Sequence, residues 1–148
     1  MKFFIRTFGC QMNLNESEIM AGLLINDGFE WTENPEEADI IIINSCSVRE
    51  KAENKMYGAI GGYGKLKEKN KNLIIGIGGC SAEKEREVLL EKFKNIDFVF
   101  GTRNVIDIAN LVKRALDGER FADFSDKLDE VSYAIAKRPF SNSITNFI

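Results

Sequence analysis

Residues 40–43 are four consecutive isoleucines, set between Asp39 and Asn44. A strand built from such a run has no polar side to turn toward water, so both of its faces must be covered. That places it inside a parallel sheet with helices packed above and below. The chain must then supply helices between its strands. Its 148 residues are enough for one domain with a substantial core.

The rest of the sequence reads accordingly. Lys2 to Phe8 is expected as a first strand, followed by a helix capped by Asn15, with Glu18 three residues on, ending at Gly28. A brief strand is expected near Phe29 to Thr32, then the isoleucine strand. Val48, Ala52, Met56, Ile60 and Tyr63 recur at helical spacing up to about Lys69, although Gly58, Gly61, Gly62 and Gly64 weaken that helix by about 1 kcal/mol each. A buried strand over Leu73 to Gly78, a charged helix from Ser81 to about Lys94 and a strand over Asp97 to Phe100 come next. Val105, Ile108, Ala109, Val112, Ala115 and Leu116 make a helical stripe ending before Gly118.

Strands alternating with helices predict a three-layer, doubly wound α/β fold: a five-stranded parallel sheet in the flavodoxin-like order 2-1-3-4-5. The pattern dissolves beyond Gly118. Residues 1–118 are therefore expected as the domain and 119–148 as an extension, whose last residues, Ile144 to Ile148, resemble the opening of another strand.

Composition narrows the function classes. Apolar residues make up 44% and charged residues 29%, as in an ordinary globular domain. The net charge of −3 argues against a surface that grips nucleic acid over a broad area. No apolar run reaches the roughly 18 residues of a membrane span, and the run before Arg6 is too short for a signal-peptide core. A cytoplasmic protein without membrane contact is expected. Histidine is absent from the sequence, which removes histidine catalysis and histidine-bearing zinc sites.

Three cysteines remain, an odd number and widely spaced. Cys10, Cys46 and Cys80 each fall just past the end of an expected strand and before an expected helix, the edge at which open parallel sheets bind ligands. In the order 2-1-3-4-5 their strands are immediate neighbours, the outer two roughly 10 Å apart. Thiolates suit helix N-termini, and Gly9 and Gly79 would let backbone approach a bulky ligand. Zinc normally takes four nitrogen or sulfur ligands, whereas three thiolates on a cubane iron–sulfur cluster leave one iron open for chemistry. The residues alone also leave two plainer readings: buried core thiols, and a labile disulfide between two of them.

The stretches around these cysteines carry a resemblance. Thr7-Phe8-Gly9-Cys10-Gln11-Met12-Asn13, continuing through Asn15-Glu16-Ser17-Glu18, resembles the first signature of the methylthiotransferase family. Ile43-Asn44-Ser45-Cys46-Ser47-Val48-Arg49-Glu50-Lys51-Ala52 resembles the second, and Gly79-Cys80-Ser81-Ala82-Glu83 the third. Phe100-Gly101-Thr102-Arg103-Asn104 is similar to the family's next landmark. Gln11-Met12-Asn13 and Ser47-Val48-Arg49-Glu50 resemble the MiaB-type branch that acts on tRNA. The chain departs from the common pattern at Glu16, Ser45 and Glu83, where Asp, Thr and Gln are usual.

The resemblance implies the N-terminal domain of an enzyme that adds a methylthio group to an isopentenylated adenosine beside the anticodon. It implies that Cys10, Cys46 and Cys80 are both the metal ligands and the cofactor-binding residues, holding an auxiliary 4Fe–4S cluster. S-adenosylmethionine and a second 4Fe–4S cluster would belong to a radical S-adenosylmethionine domain of the full-length enzyme. Its C-x-x-x-C-x-x-C motif does not occur in these 148 residues, so no catalytic residue is assigned here and the fragment is expected to be inactive alone. The partners implied are the tRNA anticodon loop and a sulfur donor, and a monomer is expected.

Two alternatives stand beside this reading. One is the same role in an enzyme that modifies an aspartate of a ribosomal protein. The other is a flavodoxin-like nucleotide or flavin module with incidental cysteines, for which Gly76-Ile77-Gly78-Gly79 imitates a dinucleotide fingerprint, with Asp97 a poor acidic partner. Lys65, Lys67, Lys69 and Lys71 form a basic run, read as the solvated end of a helix rather than a tRNA contact.

Overall fold

The structure, a computed structural model, describes residues 1–9, 11–45 and 50–124. Among these, six strands form one parallel sheet: β1 (Lys2–Phe8), β2 (Glu30–Trp31), β3 (Ile40–Ser45), β4 (Ile74–Gly79), β5 (Phe98–Phe100) and β6 (Phe121–Asp123). The connections carry α1 (Gln11–Asn26), α2 (Glu50–Lys69), α3 (Cys80–Glu85), α4 (Val88–Lys92) and α5 (Ile108–Leu116), with single 3-10 segments at Pro35–Glu37 and Thr102–Asp107. The strand order is β2-β1-β3-β4-β5-β6. The order expected from sequence holds, and β6 extends it.

The isoleucine run behaves as its composition requires. All of β3 is buried, and its side chains part alternately to the two faces, Ile40 and Ile42 into one core and Ile41 and Ile43 into the other. The first core is closed by Met20 and Leu24 of α1 and by Ile108, Leu111 and Val112 of α5. The second is closed by Met56, Ile60 and Tyr63 of α2, Ala82 of α3 and Leu89 of α4. Each isoleucine of the run is fully buried, and burial of one such side chain stabilises by about 2 kcal/mol.

Four local expectations change. Asn15 is not a cap: α1 starts at Gln11, and Asn15 sits exposed inside its second turn, accepting a hydrogen bond from Gln11 at 3.2 Å. The charged helix after Ser81 is two short helices, divided where Arg86 takes a left-handed backbone conformation (φ 48°). The stripe from Val105 begins as a 3-10 segment and becomes α-helical only at Ile108. Just after Gly118, where an extension was expected, β6 pairs with β5 in register Phe98 to Phe121. Val48, Arg49 and the stretch from Ser125 to Ile148, including the strand opening expected at Ile144, lie outside the described residues.

The glycines of β4 have a packing cause. A Cβ on Gly76 would stand 2.2 Å from the Phe98 ring, and one on Gly78 would stand 2.2 Å from the Phe100 ring. Both rings are fully buried and stacked on each other, 5.7 Å between centroids. Gly76 and Gly78 therefore make room for aromatic packing from the neighbouring strand, which accounts for the fingerprint-like spacing without a nucleotide.

Candidate metal centre

The ends of three adjacent strands lie in one row. Phe8 of β1 pairs with Ser45 of β3, and Ser45 pairs with Gly79 of β4. Cys46 follows Ser45 directly, Cys80 follows Gly79 directly, and Cys10 comes two residues after Phe8. Neighbouring strands stand about 4.8 Å apart, so the outer positions of the row are roughly 10 Å from each other. Cys80 is the first residue of α3; Cys10 and Cys46 lie outside the described residues. The strand order reverses between β1 and β3, so the row straddles the point where open α/β sheets form their binding crevice.

The row is backed by polar side chains in a place the core would otherwise fill. Asn13, Ser17, Asn44 and Ser45 are all buried, at 2% exposure or less. The Asn44 amide donates to the Asn13 carbonyl (2.9 Å) and to Ser17 Oγ (3.1 Å), and its oxygen accepts from Asn13 Nδ2 (3.3 Å). Ser17 Oγ is 2.7 Å from Thr7 Oγ1 on β1. Sequence reading missed this group. Its signal was present: Asn13 and Ser17 occupy the positions that continue the Met20 and Leu24 stripe back along α1, and Asn44 directly follows the four buried isoleucines of β3.

Gly79 is the tightest point. Its φ of +93° lies in the region that favours glycine, and a Cβ there would stand 2.3 Å from the Ser45 carbonyl oxygen and 2.6 Å from Asn44 Oδ1. The residue before Cys80 is thus held against the residues before Cys46 by a contact that no side chain permits.

Acidic groups border the row. Glu83 of α3 accepts hydrogen bonds from the Thr102 N–H (2.9 Å) and the Thr102 hydroxyl (3.0 Å), which ties the Gly101 to Asn104 landmark to α3. On α1, burial and then the Glu83 charge raise the Glu16 carboxyl to about 7. Among the described residues no set of three His, Cys, Asp or Glu side chains is grouped as a metal would need.

Residues 2–101 match the family described as "Uncharacterized protein family UPF0004". A protein of Petrotoga mobilis named tRNA-2-methylthio-N(6)-dimethylallyladenosine synthase is 82% identical over 141 residues, covering 95% of this chain and 32% of its own length. Proteins of the same name from Thermotoga petrophila (53% identity over 137 residues, 93% of this chain, 30% of theirs) and a Sulfurihydrogenibium strain (43% over 150 residues, 100% and 34%) align similarly. The chain belongs to the methylthiotransferase family. It spans about a third of the length of these curated relatives. Among the described residues, Phe8, Ser45 and Gly79, which lead into the three cysteines, and Gly101 stand at the same edge of the sheet, at the ends of β1, β3, β4 and β5.

The remaining features of the sequence have local roles. Lys67 binds Asp97 at 2.5 Å and the Asn95 carbonyl at 3.1 Å, and Asp97 also accepts from the Ile75 N–H at 2.9 Å. Asp97 therefore holds the start of β4 and anchors one lysine of the basic run. No helix among the described residues is long and apolar enough to cross a membrane.

Proposed function

We propose that Cys10, Cys46 and Cys80 hold one 4Fe–4S cluster at the C-terminal edge of the sheet, leaving one iron without a protein ligand. The observation that carries this reading is the in-register row Phe8, Ser45 and Gly79, from which the three cysteines continue. The donor set fits: three thiolates with no histidine suit iron–sulfur ligation better than a closed zinc site. The backbone fits as well, since Gly79 brings β4 against β3 without a side chain between them.

In this reading the domain serves a tRNA methylthiotransferase whose substrate is an isopentenylated adenosine next to the anticodon. When bound, the cluster would carry the sulfur and methyl that are added to the base, the methyl coming to it from another group of the whole enzyme. The part of this chain is to ligate and to orient. The three thiolates fix the cluster's attitude, and helices α1 and α2 begin at the rim with N–H groups that favour negative charge. Hydrogen abstraction belongs to a radical S-adenosylmethionine domain of the whole enzyme. The tRNA anticodon loop and a sulfur donor are the partners of the whole enzyme.

The test is anaerobic reconstitution with iron and sulfide. The expected result is about four irons per chain, with loss on replacing any one of Cys10, Cys46 or Cys80 by alanine. An iron-free protein with a yellow flavin spectrum would overturn the reading in favour of a flavin-binding module.

A further inference from the structure

We propose that Asn44 is the positioning residue of this rim, its one amide group setting the relative placement of the three segments that lead into the cysteines. This rests on the cluster reading above. The amide reaches every one of those segments. Through Ser17 it is linked to Thr7 on β1, three residues before Cys10. Through the Asn13 carbonyl and side chain it holds the first turn of α1, which begins directly after Cys10. Asn44 itself lies two residues before Cys46. Its Oδ1 abuts the Cα of Gly79, the residue before Cys80, closely enough that a Cβ there would stand 2.6 Å away.

The chemistry argues that this is geometry rather than simple packing. Asn44 is 1% exposed and Ser17 fully buried, in a position where an apolar side chain would serve the fold without any need for hydrogen bonds. A buried network in which each member is satisfied fixes one arrangement, because any shift of a segment leaves a polar group unpaired. Hydrophobic contacts tolerate sliding; these do not. Residues two and three positions from a ligand, carried on the same backbone, transmit that fixity to the ligand itself.

The experiment uses the 148-residue chain, reconstituted anaerobically as wild type, Asn44→Ala and Ser17→Ala, each checked for a cooperative thermal transition. The readouts are iron per chain, the electron paramagnetic resonance spectrum of the reduced cluster, and the rate of iron loss to a chelator. Asn44→Ala is expected to lose iron at least about tenfold faster than wild type and to show an altered spectrum. Ser17→Ala deletes one hydroxyl and keeps the Asn44 bonds to Asn13; it is expected to keep its iron while shifting the spectrum. Should Asn44→Ala fail to fold, the Ser17→Ala spectrum carries the test. Folded variants with wild-type spectra and wild-type iron loss would overturn the positioning role and leave the cluster reading standing. A wild-type chain that takes up no iron would overturn both.

Discussion

The carboxyl groups of Glu16 on α1 and Glu83 on α3 repel each other at the edge where β1, β3 and β4 end. Burial is the larger cause and the Glu83 charge the second, and together they lift Glu16 from an ordinary 4.5 to about 7.

A pH dependence follows from that pair. The folded chain keeps a proton on Glu16 that the unfolded chain releases between about 4.5 and about 7. The stability linked to this group is therefore complete below the ordinary value and is lost as pH rises through about 7. Glu83→Gln removes the second cause, so the Glu16 titration, followed by carbon NMR of its carboxyl, is expected to move down in pH. Glu16→Gln is expected to flatten the decline in stability across the same window. An unmoved titration in Glu83→Gln would show that burial alone is responsible.

Glycines that look alike in sequence should differ sharply when replaced. Gly62 on α2 is exposed, and a Cβ there meets nothing within 4 Å, so Gly62→Ala is expected to stabilise by about 0.5–1 kcal/mol. Gly78→Ala would drive a methyl into the fully buried Phe100 ring and is expected to cost about 1–3 kcal/mol. Urea denaturation midpoints at unchanged slope measure both. Equal effects at the two positions would contradict the packing described for β4 and β5.

Asp97 should matter more than the lysine it binds. Asp97→Ala leaves the Ile75 N–H and the Lys67 ammonium without that carboxylate, an expected loss of about 1–3 kcal/mol. Lys67→Ala leaves Asp97 bonded to Ile75, and the partly exposed pair is expected to cost less than about 1 kcal/mol. The same urea measurement distinguishes them, and a larger effect at Lys67 would contradict this assignment.

How much of this was legible in the sequence depends on which force dominates each element. The isoleucine run announced the central strand because burial on both faces leaves an unalternating pattern, and from it the layered fold and the neighbouring strands followed. The start of α1 was misplaced because Asn13 and Ser17 are polar residues buried by their bonds to Asn44; a pattern of apolar spacing cannot see them. The break at Arg86 carries no glycine or proline, so nothing local marks it. Strand β6 is three half-buried residues joined to β5 through the backbone, and backbone pairing writes little into side-chain choice. The ends of β1, β3 and β4, from which the cysteines continue, were legible as neighbours because the strand order fixes which ends lie side by side.

The account stands on three thiols sharing one cluster, and alkylation mapping tests that residue by residue. Reconstituted and chelator-stripped chain are treated anaerobically with iodoacetamide under native conditions, and the modified cysteines are located by mass spectrometry. Cys10, Cys46 and Cys80 are all expected to resist modification while iron is bound and all to react once it is removed. A single one of them that reacts equally fast in both samples would contradict the shared site.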